Sequence, residues 1–176
     1  MEKKIIAAGA ILVLLVAVPG EAKAVELSGG AGLGGILAGV VPRFAVSPYV
    51  SVSFPMESGL LLGVHSMCSI LPVGGKLGMG ISSQTSGAIG YAWKTGAFSV
   101  GPSLSIYSMP ACGAELCGRV VGLSPGGHAQ ASLYFAGPLG ISIHADAAWV
   151  GGRSLVLPGG LAVMVVAGPV LRWRSE

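Results

Sequence analysis

The stretch LGISIHADAAWV, residues 139–150, decides the fold. Every second residue from Leu139 to Trp149 is apolar, whereas most positions between them are small or polar and include His144 and Asp146. Successive side chains of a β-strand point to opposite faces of the sheet, so this period of two predicts a strand with one apolar face and one polar face. The question that follows is whether the histidine and the aspartate do chemistry or line an interior.

The same alternation recurs along most of the chain. It predicts eight strands, near residues 27–39, 43–54, 59–70, 77–93, 96–107, 127–136, 139–150 and 160–173. Short turns are predicted at 55–58, 94–95 and 137–138, and longer links at 71–76, 108–126 and 151–159. Short turns at one end and longer loops at the other are typical of an all-β, up-and-down antiparallel barrel.

Composition decides which face of that barrel points inward. The chain is 52% hydrophobic and only 10% charged, and its 30 glycines follow no collagen period. If the apolar face filled the interior, water would meet a surface of glycine, serine and alanine with almost no charge, which solubilises poorly. If the apolar face meets lipid, the small polar face lines the lumen. We therefore expect a transmembrane β-barrel; the alternative is a secreted soluble β-barrel or sandwich that binds a ligand.

The N-terminus has the features of an export signal. Lys3 and Lys4 precede an apolar run over residues 5–18, Pro19 and Gly20 end it, and the small residues Ala22 and Ala24 follow. This order predicts a cleaved signal peptide over 1–24 and a barrel domain over 25–176, with an uncleaved anchor as the alternative. The basic residues that remain are few and scattered, so no nucleic-acid partner is expected.

Together, the signal, the alternation and the loop pattern resemble the small eight-stranded outer-membrane β-barrels of Gram-negative bacteria. The resemblance implies a location in the outer membrane, contact with its lipid, insertion by the barrel assembly machinery and a monomeric state. It also implies that both termini lie on the periplasmic side and the longer loops outside. Such barrels usually finish on an aromatic residue; here Trp173 lies three residues before the end.

The polar face of the predicted barrel carries its few large polar side chains. An unpaired charge is costly in a water-poor interior, so we interpret them as a lumen network in which acid and base pair. Its predicted members are Arg43, His65, Gln84, His128, Gln130, His144, Asp146 and Arg172. Aromatic residues at the short-turn end predict an interfacial girdle of Phe54, Trp93, Phe98, Phe135 and Trp173.

The inward-facing side chains also suggest three other functions. Ser132 or Ser142 with a histidine and Asp146 supplies the residue types of a lipid hydrolase, but no GxSxG motif is present. The three histidines lie on three segments and would bind metal if they met at one depth, but no short ligand spacing indicates it. A barrel of eight strands is nearly filled by its side chains, so a diffusion pore is not expected, although inward glycines leave room for waters or a narrow polar cavity.

These considerations predict a structural or surface-interaction role, with no catalytic, cofactor or metal residue assigned. A lumen-dependent transporter or a lipid-modifying enzyme is the alternative. Cys112 and Cys117 flank four residues of the predicted long loop, and an exported chain meets an oxidising compartment, so we expect a disulfide between them. Cys68 either replaces one of these partners or remains a free thiol facing lipid.

Overall fold

The structure is a computed structural model that describes residues 24–38, 41–72, 78–112, 117–153 and 158–175. Every strand pairs antiparallel with its neighbours in the chain, and the last strand pairs with the first, which closes the barrel. The strands are β1 (Glu26–Ala38), β2 (Val41–Pro55), β3 (Leu60–Pro72), β4 (Met79–Trp93), β5 (Gly96–Cys112), β6 (Cys117–Ala136), β7 (Leu139–Arg153) and β8 (Pro158–Arg174). The predicted up-and-down barrel of eight strands is confirmed.

The barrel is apolar outside and polar inside. Leu33, Ile89 and Leu123 are each more than half exposed on the outer surface. The buried side chains include many serines and all three histidines. Such a distribution suits a barrel surrounded by lipid and is the reverse of the soluble alternative. No helix in the described residues is long and apolar enough to cross a membrane.

The prediction of a long loop over residues 108–126 was wrong. Strand β5 continues to Cys112 and strand β6 begins at Cys117, and the two pair in unbroken register. Pro110, Pro125 and a cluster of glycines gave this segment the composition of a loop. The period of two nevertheless persists through it, since Val121 and Leu123 are exposed and Ser124 is buried.

Four strands contain an interior proline at a point where the hydrogen-bond ladder to a neighbouring strand is interrupted. Pro48, Pro102 and Pro169 each lie where the register with one neighbouring strand is interrupted. The register of β6 with β7 begins at Gly126, so the preceding residue, Pro125, lies outside it. Since proline has no N–H to donate, strands accept it where a ladder bond is missing.

Two expectations concern residues outside the described ranges. The signal peptide predicted over 1–24 falls there except for Ala24. Residues 73–76 and 154–157 of the links predicted at 71–76 and 151–159 also fall there. The short turns are described and lie at 56–59, 94–95 and 137–138. They share one end of the barrel with the start of β1 and the end of β8, and we call this the turn end; the opposite end is the loop end.

Candidate functional site

A layer of three imidazole rings lies across the middle of the lumen. His128 on β6 and His144 on β7 come from adjacent strands, whereas His65 on β3 comes from the other side of the barrel. The His65 ring stacks on both others, with centroid distances of 4.4 Å to His128 and 4.8 Å to His144. All three side chains are buried. We call these residues the histidine layer.

One side of the layer is held by a carboxylate. Asp146 lies directly opposite His128 in the register of β6 and β7. Its Oδ1 atom is 2.6 Å from His128 Nδ1 and accepts a second hydrogen bond, of 2.5 Å, from Gln84 Nε2 on β4. Since the carboxylate oxygen only accepts, His128 carries its proton on Nδ1. Asp146 therefore joins three strands and fixes the tautomer of His128.

The other side of the layer is held by a chain of hydroxyl groups. His144 Nε2 is 3.0 Å from Ser142 Oγ, which in turn hydrogen-bonds to Tyr49 Oη. The Tyr49 hydroxyl donates to the backbone oxygen of Pro169 at 3.1 Å. Because each hydroxyl has one proton to donate, Ser142 donates to Tyr49 and accepts from His144. His144 therefore carries its proton on Nε2.

These bonds leave one ring nitrogen free on each of the two fixed histidines. His128 Nε2 and His144 Nδ1 are buried and have no hydrogen-bond partner among the described residues, and the same is true of both nitrogens of His65. One ring nitrogen from each of the three lies within 4.8 Å of the others. Buried polar atoms are almost always hydrogen-bonded, so the unpartnered nitrogens of the three rings require a physical explanation.

Two internal cavities flank the layer. The cavity toward the turn end has a volume of about 20 Å³ and is lined by His65, Gln130 and several serines. The cavity toward the loop end has a volume of about 50 Å³ and is lined by Gln84, Asp146 and mostly apolar side chains. A water molecule needs about 10–15 Å³ of such space, so the first cavity holds about one water and the second a few.

The remaining residues of the predicted network lie apart from the layer. Arg172 stacks over the ring of Tyr134, with its guanidinium carbon 3.8 Å from the ring centroid, and its Nη1 lies 3.9 Å from Glu26 Oε2. Gln130 donates to Ser132 Oγ at 3.2 Å. Arg43 is half-buried near the loop-end start of β2. The predicted set therefore forms a central cluster and a separate turn-end group, with Arg43 apart from both.

Sequence reasoning missed the roles of three residues that the structure brings into these groups. Glu26 is buried beside Arg172, and Tyr49 and Ser142 hold His144. All three residues occupy inward positions of the alternating pattern, but this pattern does not predict which inward side chains contact each other. Closing β1 onto β8 brings Glu26 to the end of β8, and the hydroxyl chain crosses from β2 to β7 through the lumen.

The serine, histidine and aspartate residues do not form a hydrolase triad. Ser142 bonds to His144 and Asp146 bonds to His128, so in the described residues no single histidine bridges a serine and the acid. A triad needs its histidine to contact both the nucleophile and the acid. Ser142 is also fully buried, away from lipid on the outer surface.

The predicted girdle residues lie on the outer surface near the turn end. Trp93, Phe98, Phe135 and Trp173 are exposed, and Phe54 is half-buried. Cys68 is a free thiol exposed on the outer face of β3. The backbone of Cys112 lies directly opposite that of Cys117 at the end of the β5–β6 hairpin, and the side chains of these two cysteines are outside the described set.

No known protein family and no characterised protein matches the chain by sequence. Solved structures of similar fold do exist. Neisserial surface protein A aligns with a TM-score of 0.56 and 10% identity, over 85% of this chain and 97% of that one. The N-terminal β-barrel domain of Pseudomonas aeruginosa OprF aligns with a TM-score of 0.54 and 11% identity, over 85% and 97%.

A third similar structure is Ail, the attachment invasion locus protein of Yersinia pestis, in complex with the heparin analogue sucrose octasulfate. It aligns with a TM-score of 0.56 and 8% identity, over 85% of this chain and 98% of that one. At these identities the likeness concerns the fold. The chain has the fold of the small eight-stranded outer-membrane β-barrels.

Proposed function

We propose that the protein is an outer-membrane barrel with a structural or surface-interaction role and no catalytic chemistry. The observation that carries the proposal is the combination of an apolar outer face with a lumen crossed by the histidine layer. The outer face fits lipid, and the filled lumen favours a scaffold over a diffusion pore. The similar folds of a Neisserial surface protein and an attachment protein support a role at the cell surface.

The loop end of the barrel is the part we assign to the cell exterior. Strands β5 and β6, of 17 and 20 residues, are long and meet at Cys112 and Cys117. Arg119 Nε donates to Ser108 Oγ within the hairpin at 3.0 Å, and its Nη2 ties the hairpin to β4 by donating to the backbone oxygen of Met79 at 3.1 Å. The hairpin therefore presents an ordered ribbon and not a long flexible loop to a partner.

Electrophoresis tests whether the chain is an outer-membrane barrel. We expect the protein in the outer-membrane fraction, with a faster-migrating band before boiling in SDS than after it, because closed membrane barrels resist the detergent. Protein found soluble in the periplasm, or a band that never shifts, would refute the location.

Labelling of intact cells tests the orientation. In a variant whose three native cysteines are replaced by serine, a single cysteine is placed at exposed Gly118 near the loop end or at exposed Thr95 in a short turn. A membrane-impermeant maleimide should label Gly118→Cys and should label Thr95→Cys only after the cells are lysed. The opposite pattern would place the turn end outside and contradict the proposed surface role of the hairpin.

A further inference from the structure

We propose that His65, His128 and His144 bind one divalent transition-metal ion of the Zn²⁺ class in the lumen. The proposal requires the barrel fold but not the surface role proposed above. It starts from geometry: three imidazoles from three strands meet at one depth, with one ring nitrogen of each within 4.8 Å of the others. Imidazole nitrogen is a preferred ligand of Zn²⁺ and its neighbours in the first transition row.

The protonation of the rings supports the assignment. Asp146 holds the proton of His128 on Nδ1, and the Ser142 and Tyr49 hydroxyls hold the proton of His144 on Nε2. In the neutral form of each ring, the lone pair then lies on the other nitrogen, which is Nε2 in His128 and Nδ1 in His144. A metal-binding histidine characteristically donates its other N–H to a carboxylate or a similar acceptor, which is the arrangement seen here.

The negative charge of Asp146 also supports a metal ion at this site. Asp146 is a buried acid whose described contacts are His128 and the amide of Gln84, and its Oδ2 atom has no hydrogen-bond partner in the described part of the chain. A buried carboxylate without a compensating positive charge is costly. A dication on His128 Nε2 would supply that charge through the imidazole, and it would also give a partner to one free nitrogen on each of the other two rings.

The fit requires a small rearrangement of side chains. Nitrogen ligands at 2.0–2.1 Å from a tetrahedral Zn²⁺ are about 3.3 Å from each other. The three rings are stacked, at interplanar angles of 14° for His65 with His128 and 24° for His65 with His144, so His65 must turn to aim a lone pair at the same point. The torsion that turns an imidazole ring is soft. The turn-side cavity beside His65 has space for the water that completes the coordination.

Metal titration of the untagged protein tests the site. The protein is refolded in detergent both without metal and with Co²⁺ or Zn²⁺, so that restricted access to the folded lumen does not hide binding. A Cys68→Ser background removes the exposed free thiol as a competing ligand. We expect one Co²⁺ per chain with visible absorption typical of tetrahedral nitrogen and oxygen ligands, its displacement by Zn²⁺, and no response to Mg²⁺.

Variants assign the ligands, with a folded barrel verified each time by the shift of the unboiled band. His65→Gln and His144→Gln should each weaken Co²⁺ binding at least about tenfold, and Asp146→Asn, which alters the support of His128, should weaken it about 10- to 100-fold. Gln130→Ala, which removes another inward polar side chain, should bind like the native protein.

Two results would overturn the site. One is a folded native protein that binds no Co²⁺ or Zn²⁺ at millimolar concentration in either refolding protocol. The other is binding that both histidine variants retain at native strength. If the histidine variants do not fold, the native titration decides by itself, since a single equivalent with the tetrahedral spectrum supports the site and no spectrum refutes it.

Discussion

Asp146 holds two buried side chains of the lumen at once, His128 and Gln84. Asp146→Ala leaves His128 Nδ1 and Gln84 Nε2 buried without their acceptor. Losing the partner of a buried donor costs about 1–3 kcal/mol, so the free energy of unfolding should fall by about 3 kcal/mol. Denaturant unfolding followed by tryptophan fluorescence measures it. Gln130→Ala is the control. Because Gln130 is half-buried, this change should lower the free energy of unfolding by less than about 1 kcal/mol. Equal losses of stability in the two variants would contradict the central role of Asp146.

Tyr49 and Ser142 should behave as one unit. Tyr49→Phe removes the donor to Pro169 and the acceptor of the Ser142 hydroxyl, and Ser142→Ala removes the link to His144. Residues in one hydrogen-bond network show coupling of about 0.5–3 kcal/mol. We expect the double variant to be less destabilised than the two single variants combined, as measured by the same unfolding experiment. Additive effects would mean that the hydroxyl chain is not cooperative.

At the residue scale, parity predicted which side chains point inward but not which of them meet. Asp146 follows His144 at the next inward position of β7, yet it bonds to His128 on the neighbouring strand. That pairing depends on a register shift between Tyr134 and Ala136, which leaves Phe135 unpaired. Without the extra residue, inward positions of β6 would oppose outward positions of β7, and cross-strand partners must share a face. Nothing in the sequence alone marks the bulge.

At the element scale, the β5–β6 hairpin replaces the long loop that was predicted over residues 108–126. We still expect a disulfide at the end of this hairpin. The hairpin register puts Cys112 opposite Cys117. Directly opposed residues of antiparallel strands have Cα atoms about 4.5 or 5.5 Å apart, which lies within the range a disulfide spans. A cross-link there closes the end of an ordered ribbon and adds only modestly to stability, because the closed loop is short.

Thiol counting tests that disulfide. Denatured, unreduced protein should show one free thiol, from Cys68, and three after reduction. The Cys68→Ser variant provides the control and should show none before reduction. Three free thiols in native protein purified from the envelope would contradict the cross-link. Two free thiols in the Cys68→Ser variant, beside one in the native protein, would show that Cys68 pairs with one of the other two cysteines.

At the scale of the whole molecule, alternation and composition were sufficient to predict a closed barrel with an apolar exterior. Each strand presents one apolar face, and lipid tolerates that face outside only if no strand edge is left unpaired. The end of β5 and the start of β6 were not predictable in the same way. A segment rich in proline and glycine has the composition of a loop, even where it forms a strand whose hydrogen-bond ladder is interrupted. The convergence of the three histidines also depended on the relative heights of strands on opposite sides of the barrel.

The histidine layer should make the barrel non-conducting. It separates a turn-side cavity of about 20 Å³ from a loop-side cavity of about 50 Å³, and eight strands leave little further space. Native protein in planar bilayers with potassium chloride should therefore show no discrete conductance steps. Replacing His65, His128 and His144 together by alanine removes the three rings between the cavities and should produce small ion-conducting steps. Gln130→Ala should stay silent, and the unboiled band must show that each variant is folded. Conductance steps of equal size in the native and triple-alanine proteins would mean that ions pass elsewhere. A folded triple-alanine protein that stays silent would mean that the layer is not what closes the lumen.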